Sequence, residues 1–392
     1  MATLSYRTAG ESHGPAMIAL IEGMPAGVPI DAAFIDGELR RRQGGYGRGA
    51  RQRIEADAVR FLSGVRQGMT IGSPIAIEIV NADSRIDDVE RTPPVFRPRP
   101  GHADLAGSIK WLTTDCRGTL ERASARETAA RTAAGAVARC LLHAFGVEVF
   151  GFVRGALDVQ SALQPSAAEL PALRARRDAS EIYCPDESVS TRLVEAIHQA
   201  KVDKDTVGGW CETHVFGLPP GLGSCVSVDA RLDSRLAAAV MGIQAFKGVE
   251  IGLGMAVAAR RGSEVHDPIH FDPSKRGESH LGFTRPTNNA GGLEGGMTNG
   301  MPVVVRGAMK PISTLLRGMP SVDLRSGEAS QSQYERSDIS AVAAASVVME
   351  QVVAFEAARA FVEKFGGDSL SEVRANHAAF LHAARQLGSG GS

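Results

Sequence analysis

The chain has 392 residues, of which 43% are hydrophobic and only 5% aromatic, and its formal net charge is -1. That length suits two or three domains or one large one, and the composition supports a globular core built from small side chains. A charge balance this close to neutral argues against a global attraction to nucleic acid or to a membrane surface, so any anion must be held by a local cluster. The cysteines at 116, 140, 184, 211 and 225 have no CxxC or zinc-like spacing. They are expected to be buried thiols in a reducing compartment. Residues 1–7 carry no apolar signal core, and the most apolar run, Ala341 to Met349, is too short to span a bilayer. The expected location is therefore the cytoplasm.

In chain order, Thr8-Ala-Gly-Glu-Ser-His-Gly-Pro15 is a glycine turn between short strands, the second running from Ala16 to Ile21. Asp31 can cap a helix carrying Phe34, Ile35 and Leu39, which Gly44 ends. Arg40, Arg41, Arg42, Arg48, Arg51 and Arg53 follow, with no acid between Leu39 and Ile54. Gly44, Gly45, Gly47 and Gly49 make this a loop that exposes its backbone N–H groups. Val59 to Leu62 and Ile75 to Val80 are expected strands, and Thr92 to Pro100 an extended stretch leading to Arg99-Pro-Gly-His102-Ala-Asp104.

Next comes Leu120-Glu-Arg-Ala-Ser-Ala-Arg-Glu-Thr128. Ser124 is the expected N-cap of a long helix and Glu127 completes a capping box. Ala129, Ala133, Val137 and Leu141 then repeat at i, i+4 as one buried small-residue face, and Gly146 stops the run. Arg122 and Arg126 flank the cap, where unpaired N–H groups and the helix dipole favour a phosphate or carboxylate. Glu335-Arg336-Ser337-Asp338 repeats this pattern ahead of a second long helix, Ser340 to Phe365. The repetition suggests an internal duplication in which both helix starts face one site.

Val147 to Val153 and Gly209 to Phe216 are expected strands, and Thr191 to Lys201 an amphipathic helix. Gln160 to Ser180 has little pattern. Asp229 can cap a helix through Leu232, Leu236 and Val240 toward Gln244. Gly252 to Val257 reads as a strand with bulges, and Glu264 to Arg285 as a mobile polar loop. Asn288 to Gly300 is too glycine-rich for helix or strand and should wrap closely around something. Met301 to Arg306 is a strand, and the last helix begins near Ser369. Residues 1–387 are expected to be a single domain and 388–392 a disordered tail.

His13 and His102 sit in glycine turns beside arginine-rich loops, which makes them acid–base candidates near neutral pH. His266 and His270 are four apart, but Pro268 between them argues against a helical zinc face. No metal site, Gly-Lys-Ser/Thr phosphate loop or Gly-x-Ser-x-Gly elbow is present in the sequence. The residues add up to a pocket for a multiply anionic small molecule, with a cofactor carrying the harder chemistry.

These segments together resemble the chorismate synthase family. The resemblance rests on Gly10-Glu-Ser-His-Gly-Pro15, Arg40-Arg-Arg-Gln-Gly-Gly-Tyr-Gly-Arg-Gly49, Arg99 to Asp104, Glu121 to Thr128, Ala245-Phe-Lys-Gly-Val-Glu250, Gly295-Gly-Met-Thr-Asn-Gly300, Lys310-Pro-Ile and Glu335 to Asp338, in that order. It implies an α+β fold, a three-layer sandwich with helices between two antiparallel sheets, assembled as a homotetramer. It also implies a lyase of the shikimate pathway, which leads to the aromatic amino acids. Such an enzyme removes phosphate from 5-enolpyruvylshikimate 3-phosphate by an anti 1,4-elimination, with reduced FMN required and no net redox change.

By the same resemblance His13 is the acid toward the leaving phosphate or substrate, His102 keeps the flavin protonated, and Asp338 serves the proton inventory at flavin N5. Arg122, Ala123, Ser124, Gln244, Ala245, Gly295, Lys310, Pro311, Ile312, Ser313, Thr314 and Arg336 would hold the flavin. Ser12, Arg42, Arg48, Arg99 and Arg126 would hold the substrate, with Arg42 and Arg48 also placed to meet NADPH as reductant. A separate flavin reductase is the alternative source of electrons. Two residues depart from the family pattern. Ala123 stands where a serine is common, so any contact there is through backbone, and Gln244 stands where an asparagine is common, which lengthens the amide.

Overall fold

The computed structural model describes residues 3–49, 56–332 and 337–387. Two antiparallel sheets enclose a layer of helices, the α+β sandwich that the resemblance implies. The first sheet has the order Ser5–Ala9, Ala16–Glu22, Ile75–Val80, Arg60–Phe61. Alternation decides its inner face. Met17 opposes Ile79, Ala19 opposes Ile77 and Ile21 opposes Ile75, and all six side chains are fully buried.

The second sheet has the order Phe246–Ile251, Val303–Met309, Gly209–Phe216, Glu148–Ala156, Val159–Gln160. Val149, Val153, Cys211 and Val215 join the main core between the sheets. On its other face Phe150, Phe152 and Phe216 pack with Leu170 and Leu173. Those leucines belong to the Leu170–Ala179 helix, so the apparently patternless Gln160–Ser180 stretch is a cover for this sheet.

The middle layer holds the helices Ala32–Gln43, Thr128–His143 and Val342–Phe365, with Leu232–Met241 beside the last. Ala129, Ala133, Val137 and Leu141 are fully buried, as the repeat predicts. A Cβ at Gly135 would lie 2.3 Å from the Gln351 carbonyl oxygen, so the two long helices meet backbone to backbone. Each half thus contributes one antiparallel sheet and one long buried helix, the doubling that the two similar helix starts suggested.

Several local expectations change. Ser124 accepts from Arg126 N and caps only a short turn, Ala125–Glu127, before the Thr128–His143 helix. No capping box forms, because the Glu127 carboxylate is taken by Thr8, Gln244 and Arg131. Asp229 lies in a separate turn, and the residue before the Leu232–Met241 helix is Arg231. The second long helix begins at Val342.

Gly252 and Gly254 take positive φ and break the strand at Ile251, so the bulged strand lies upstream, at Phe246/Gly248. The polar 264–285 stretch contains a small hairpin, His270–Phe271 with Phe283–Thr284. The glycine-rich segment is also a hairpin, Leu293–Glu294 with Met297–Thr298, whose turn uses Gly295 and Gly296 at positive φ. Four cysteines are buried, but Cys225 is exposed. Residues 388–392, expected to be a tail, lie outside the described residues.

Candidate functional site

Asp31 caps the Ala32–Gln43 helix and Gly44 ends it, so the helix delivers Arg42 and then the Arg48 loop to the rim of the sandwich. The turn after the first strand delivers Ser12 and His13. The Arg117–Ala123 helix meets this turn from below: Ser12 N donates to the Glu121 carbonyl, and Ser124 Oγ donates to Ser12 Oγ at 3.2 Å. Arg122 donates to the carbonyls of Gly10 and Thr8. Glu127 then joins the first sheet to the second half of the chain. It accepts from Thr8 Oγ1 at 2.5 Å and from Gln244 Nε2 at 2.9 Å.

The circuit continues from there. Lys310 N donates to the Ala245 carbonyl at 2.9 Å, and Ala245 itself holds φ +70°. The Lys310 and Ser313 side chains lie against Gly101, the residue before His102. Thr206 Oγ1 donates to the Ile312 carbonyl and so pins the 311–314 stretch. Arg99 donates to Thr314 Oγ1 at 3.3 Å, and Ser337 Oγ donates to the Thr314 carbonyl at 3.0 Å. Asp338 pairs with Arg48 at 2.9 Å and accepts from Gly49 N. Arg42 lies within electrostatic reach of both Arg48 and Asp338. Arg42 and Arg126 share Asp57, and Arg126 Nε donates to Asn81 Oδ1 at 2.7 Å. Asn81 closes the ring by donating to the carbonyls of Glu11 and Gly14, on either side of His13.

Nearly all the residues expected at a site are therefore strung around one rim. Gly295 is not part of this circuit; its neighbours are Cys225 and Met297. Arg336 lies outside the described residues, as do Arg51 and Arg53. Arg126, Arg42 and Arg99 differ from the open cations expected, since all three are buried and donate to protein groups.

Each histidine has a buried carboxylate at Nδ1. Glu121 lies 2.8 Å from His13 Nδ1, and Asp104 meets His102 Nδ1 and Arg99. Burial works to raise both carboxyls, but bonds from His13 and Arg117 hold Glu121 below the usual range. Bonds from His102 and Arg99 hold Asp104 lower still. Burial, and then the Arg126 and Arg48 cations, push Arg42 down toward about 9 against the pull of Asp57. Among the described residues this corner carries three guanidinium groups, Arg42, Arg48 and Arg126, on two carboxylates, Asp57 and Asp338. Arg48 Nε is buried with no hydrogen-bond partner, a donor that an added anion would satisfy.

A flavin mononucleotide suits the residues assigned to it. Gln244 Oε1 is a buried acceptor with no hydrogen-bond partner. Lys310 is pushed down by burial and by the nearby Lys247 cation, a pair suited to a phosphate. Along the circuit the Ser124 hydroxyl comes before Gln244, and Ser313 and Thr314 come after Lys310.

Sequence reasoning missed Asp57, Asn81, Asp83 and Arg85, and gave Glu121 no role. Only Glu121 had a local signal, its i, i+4 spacing from Arg117. The other partners meet across distant stretches of chain.

The chorismate synthase family profile matches residues 4–362. The chain is 53% identical over 399 aligned residues to the chorismate synthase of Desulforudis audaxviator, covering 99% of this chain and all of that protein. It is 51% identical over 395 residues to that of Mycobacterium tuberculosis, covering 96% of each. A crystal structure of chorismate synthase superposes with a TM-score of 0.80 at 38% identity, over 99% of this chain and 100% of that one. The chain belongs to the chorismate synthase family.

Proposed function

We propose that the chain converts 5-enolpyruvylshikimate 3-phosphate to chorismate by 1,4-elimination of phosphate, with reduced FMN bound in the same rim. The observation that carries this reading is the closed circuit of contacts that gathers both histidines, a cluster of guanidinium groups and most of the candidate flavin residues. A substrate with one phosphate and two carboxylates matches that cluster of cations. Arg48 binds and orients it, and Arg99, held by Asp104 and Thr314, adds its charge from beside His102. Arg42 and Arg126 hold the local potential positive through Asp57.

His13 gives the proton at Nε2 to an oxygen of the leaving phosphate. His102, fixed by Asp104, and Asp338, fixed by Arg48, manage protons on the cofactor side. Ser12 orients the substrate face of the turn. Gln244, Ala245, Lys310 and the 311–314 stretch would hold the flavin, with Arg122, the Ala123 backbone, Ser124 and Arg336 completing its site. Reduced FMN supplies a reversible electron donor there, so the reaction has no net redox change.

NADPH or a separate flavin reductase would furnish the electrons. The same reading makes the chain a cytoplasmic homotetramer folded as one domain over residues 1–387. The unpaired edge strand Phe246–Ile251, followed by the exposed Met255 and Val257, supports association with further copies.

The test is anaerobic. Dithionite-reduced FMN and substrate are added, and phosphate and chorismate are followed. Many turnovers per reduced flavin are expected. Reductant consumed one-for-one with product would instead mark a flavin oxidoreductase.

A further inference from the structure

We propose that Glu121 is the positioning residue for His13, setting which ring nitrogen faces the reaction. The claim rests on the acid role of His13 given above. Glu121 is 1% exposed, and its carboxylate collects three donors. These are His13 N at 3.0 Å, His13 Nδ1 at 2.8 and 3.0 Å, and Arg117 Nη1 at 3.3 Å. An ionised carboxylate only accepts, so Nδ1 must carry the hydrogen. The opposite nitrogen meets a donor instead: Arg85 Nη2 lies 3.4 Å from His13 Nε2 and presents N–H to its lone pair. Asp83 stands 3.8 Å from the same atom and is itself paired to Arg85 and Arg91. The His13 carbonyl accepts from both Arg85 N and Ile86 N, which fixes the backbone beneath the ring.

Glu121 at Nδ1 and Arg85 at Nε2 therefore specify one neutral tautomer, Nδ1–H with a bare Nε2, and Asp83 at 3.8 Å stands beyond hydrogen-bond distance. When His13 takes a proton at Nε2, the new positive charge lies across the ring from Glu121 and is stabilised there. When the Nε2–H bond breaks toward a phosphate oxygen, the electron pair stays on Nε2 and the ring returns to the same tautomer. No rotation is needed between cycles.

The test uses full-length protein labelled with 15N-histidine, with the His13 signals assigned by their loss in His13→Ala. Solid-state 15N spectra of the neutral wild-type ring should show Nδ1–H, and an Nε2–H ring would overturn the proposal without any variant. Glu121→Gln leaves one acceptor oxygen for three donors, and its amide N–H then forces Nδ1 to accept. The expected result is a switch of tautomer and a kcat lower by about 10- to 10⁴-fold, the range seen for partners that orient histidines. KM should stay within about threefold, and Glu121→Asp should recover part of the rate. Wild-type turnover in Glu121→Gln beside a collapsed His13→Ala would overturn the positioning role alone. Wild-type turnover in both would overturn the acid role beneath it.

Discussion

Two clusters of buried charge are built from the same side chains and end differently. Between the sheets, Glu350 lies within 2.9 to 3.5 Å of Arg41, Arg139 and Arg177. Glu38 takes Arg41 at 2.6 Å and Arg139 at 3.2 Å, and Asp178 takes Arg177 at 2.8 Å. Three cations face three carboxylates, and Arg139 and Arg177 also lie over the rings of Phe34 and Phe150. The charges of that cluster balance, although Glu350 Oε1 and Arg139 Nε and Nη1 are buried without hydrogen-bond partners. At the rim, Arg42 and Arg126 meet Asp57, and Arg48 meets Asp338. The first cluster ties the long helices to their neighbours, and the second borders the site proposed above.

This contrast can be broken experimentally. The largest expected effect is on the rim: His13→Ala should lower kcat by about 10²–10⁴-fold, as for loss of a general acid, and leave the thermal midpoint near wild type. An unfolded variant would mean that the rim is structural too. Next, Glu350→Ala should remove about 3–5 kcal/mol of stability in urea titrations, because it strands buried cations, with turnover of the folded fraction preserved.

The pH dependence sharpens the point. Burial works to raise Glu350, but the Arg41, Arg139 and Arg177 cations hold it below the usual carboxylate range. Its contribution is therefore fully present above the unfolded value, about 4.3, and is lost as pH falls through the folded one. Stability should fall more steeply from about pH 5 downward in wild type than in Glu350→Gln. A third change, Arg48→Ala, should raise substrate KM by about 10- to 100-fold, the loss of one charged hydrogen bond, with kcat less affected. The smallest effect is expected from Gln244→Asn, which shortens the amide away from Glu127. Flavin affinity, read from fluorescence quenching, should change by less than about tenfold.

Much of the framework was legible because its signals are local. The Asp31 cap, the alternating Ile75–Val80 strand and the small-residue face from Ala129 to Leu141 each depend on neighbours within a few residues. The family motifs also singled out His13, His102, Arg48 and Asp338, which the fold brings to one rim. What could not be read were competitions between distant partners. Ser124 and Glu127 spell a capping box, yet Thr8 and Gln244, 119 and 117 residues away, claim the carboxylate. The glycines at 295 and 296 weaken a strand in isolation, but a hairpin turn needs their positive φ. Glu121 looked like one more acid on a helix until its partner, 108 residues upstream, was placed against it.

The helix crossing at Gly135 has a wider consequence. His13 and Glu121 come from one half of the chain, and Gln244, Lys310 and Asp338 from the other. Their spacing is inherited from the separation of two helix axes, and at Gly135 that separation is set by bare backbone against the Gln351 carbonyl. One methyl group inserted there would act as a shim beneath the whole assembly, spreading the candidate site residues without touching them. The geometry of the chemistry is thus gauged at a point buried among helices, in a residue that has no side chain to offer.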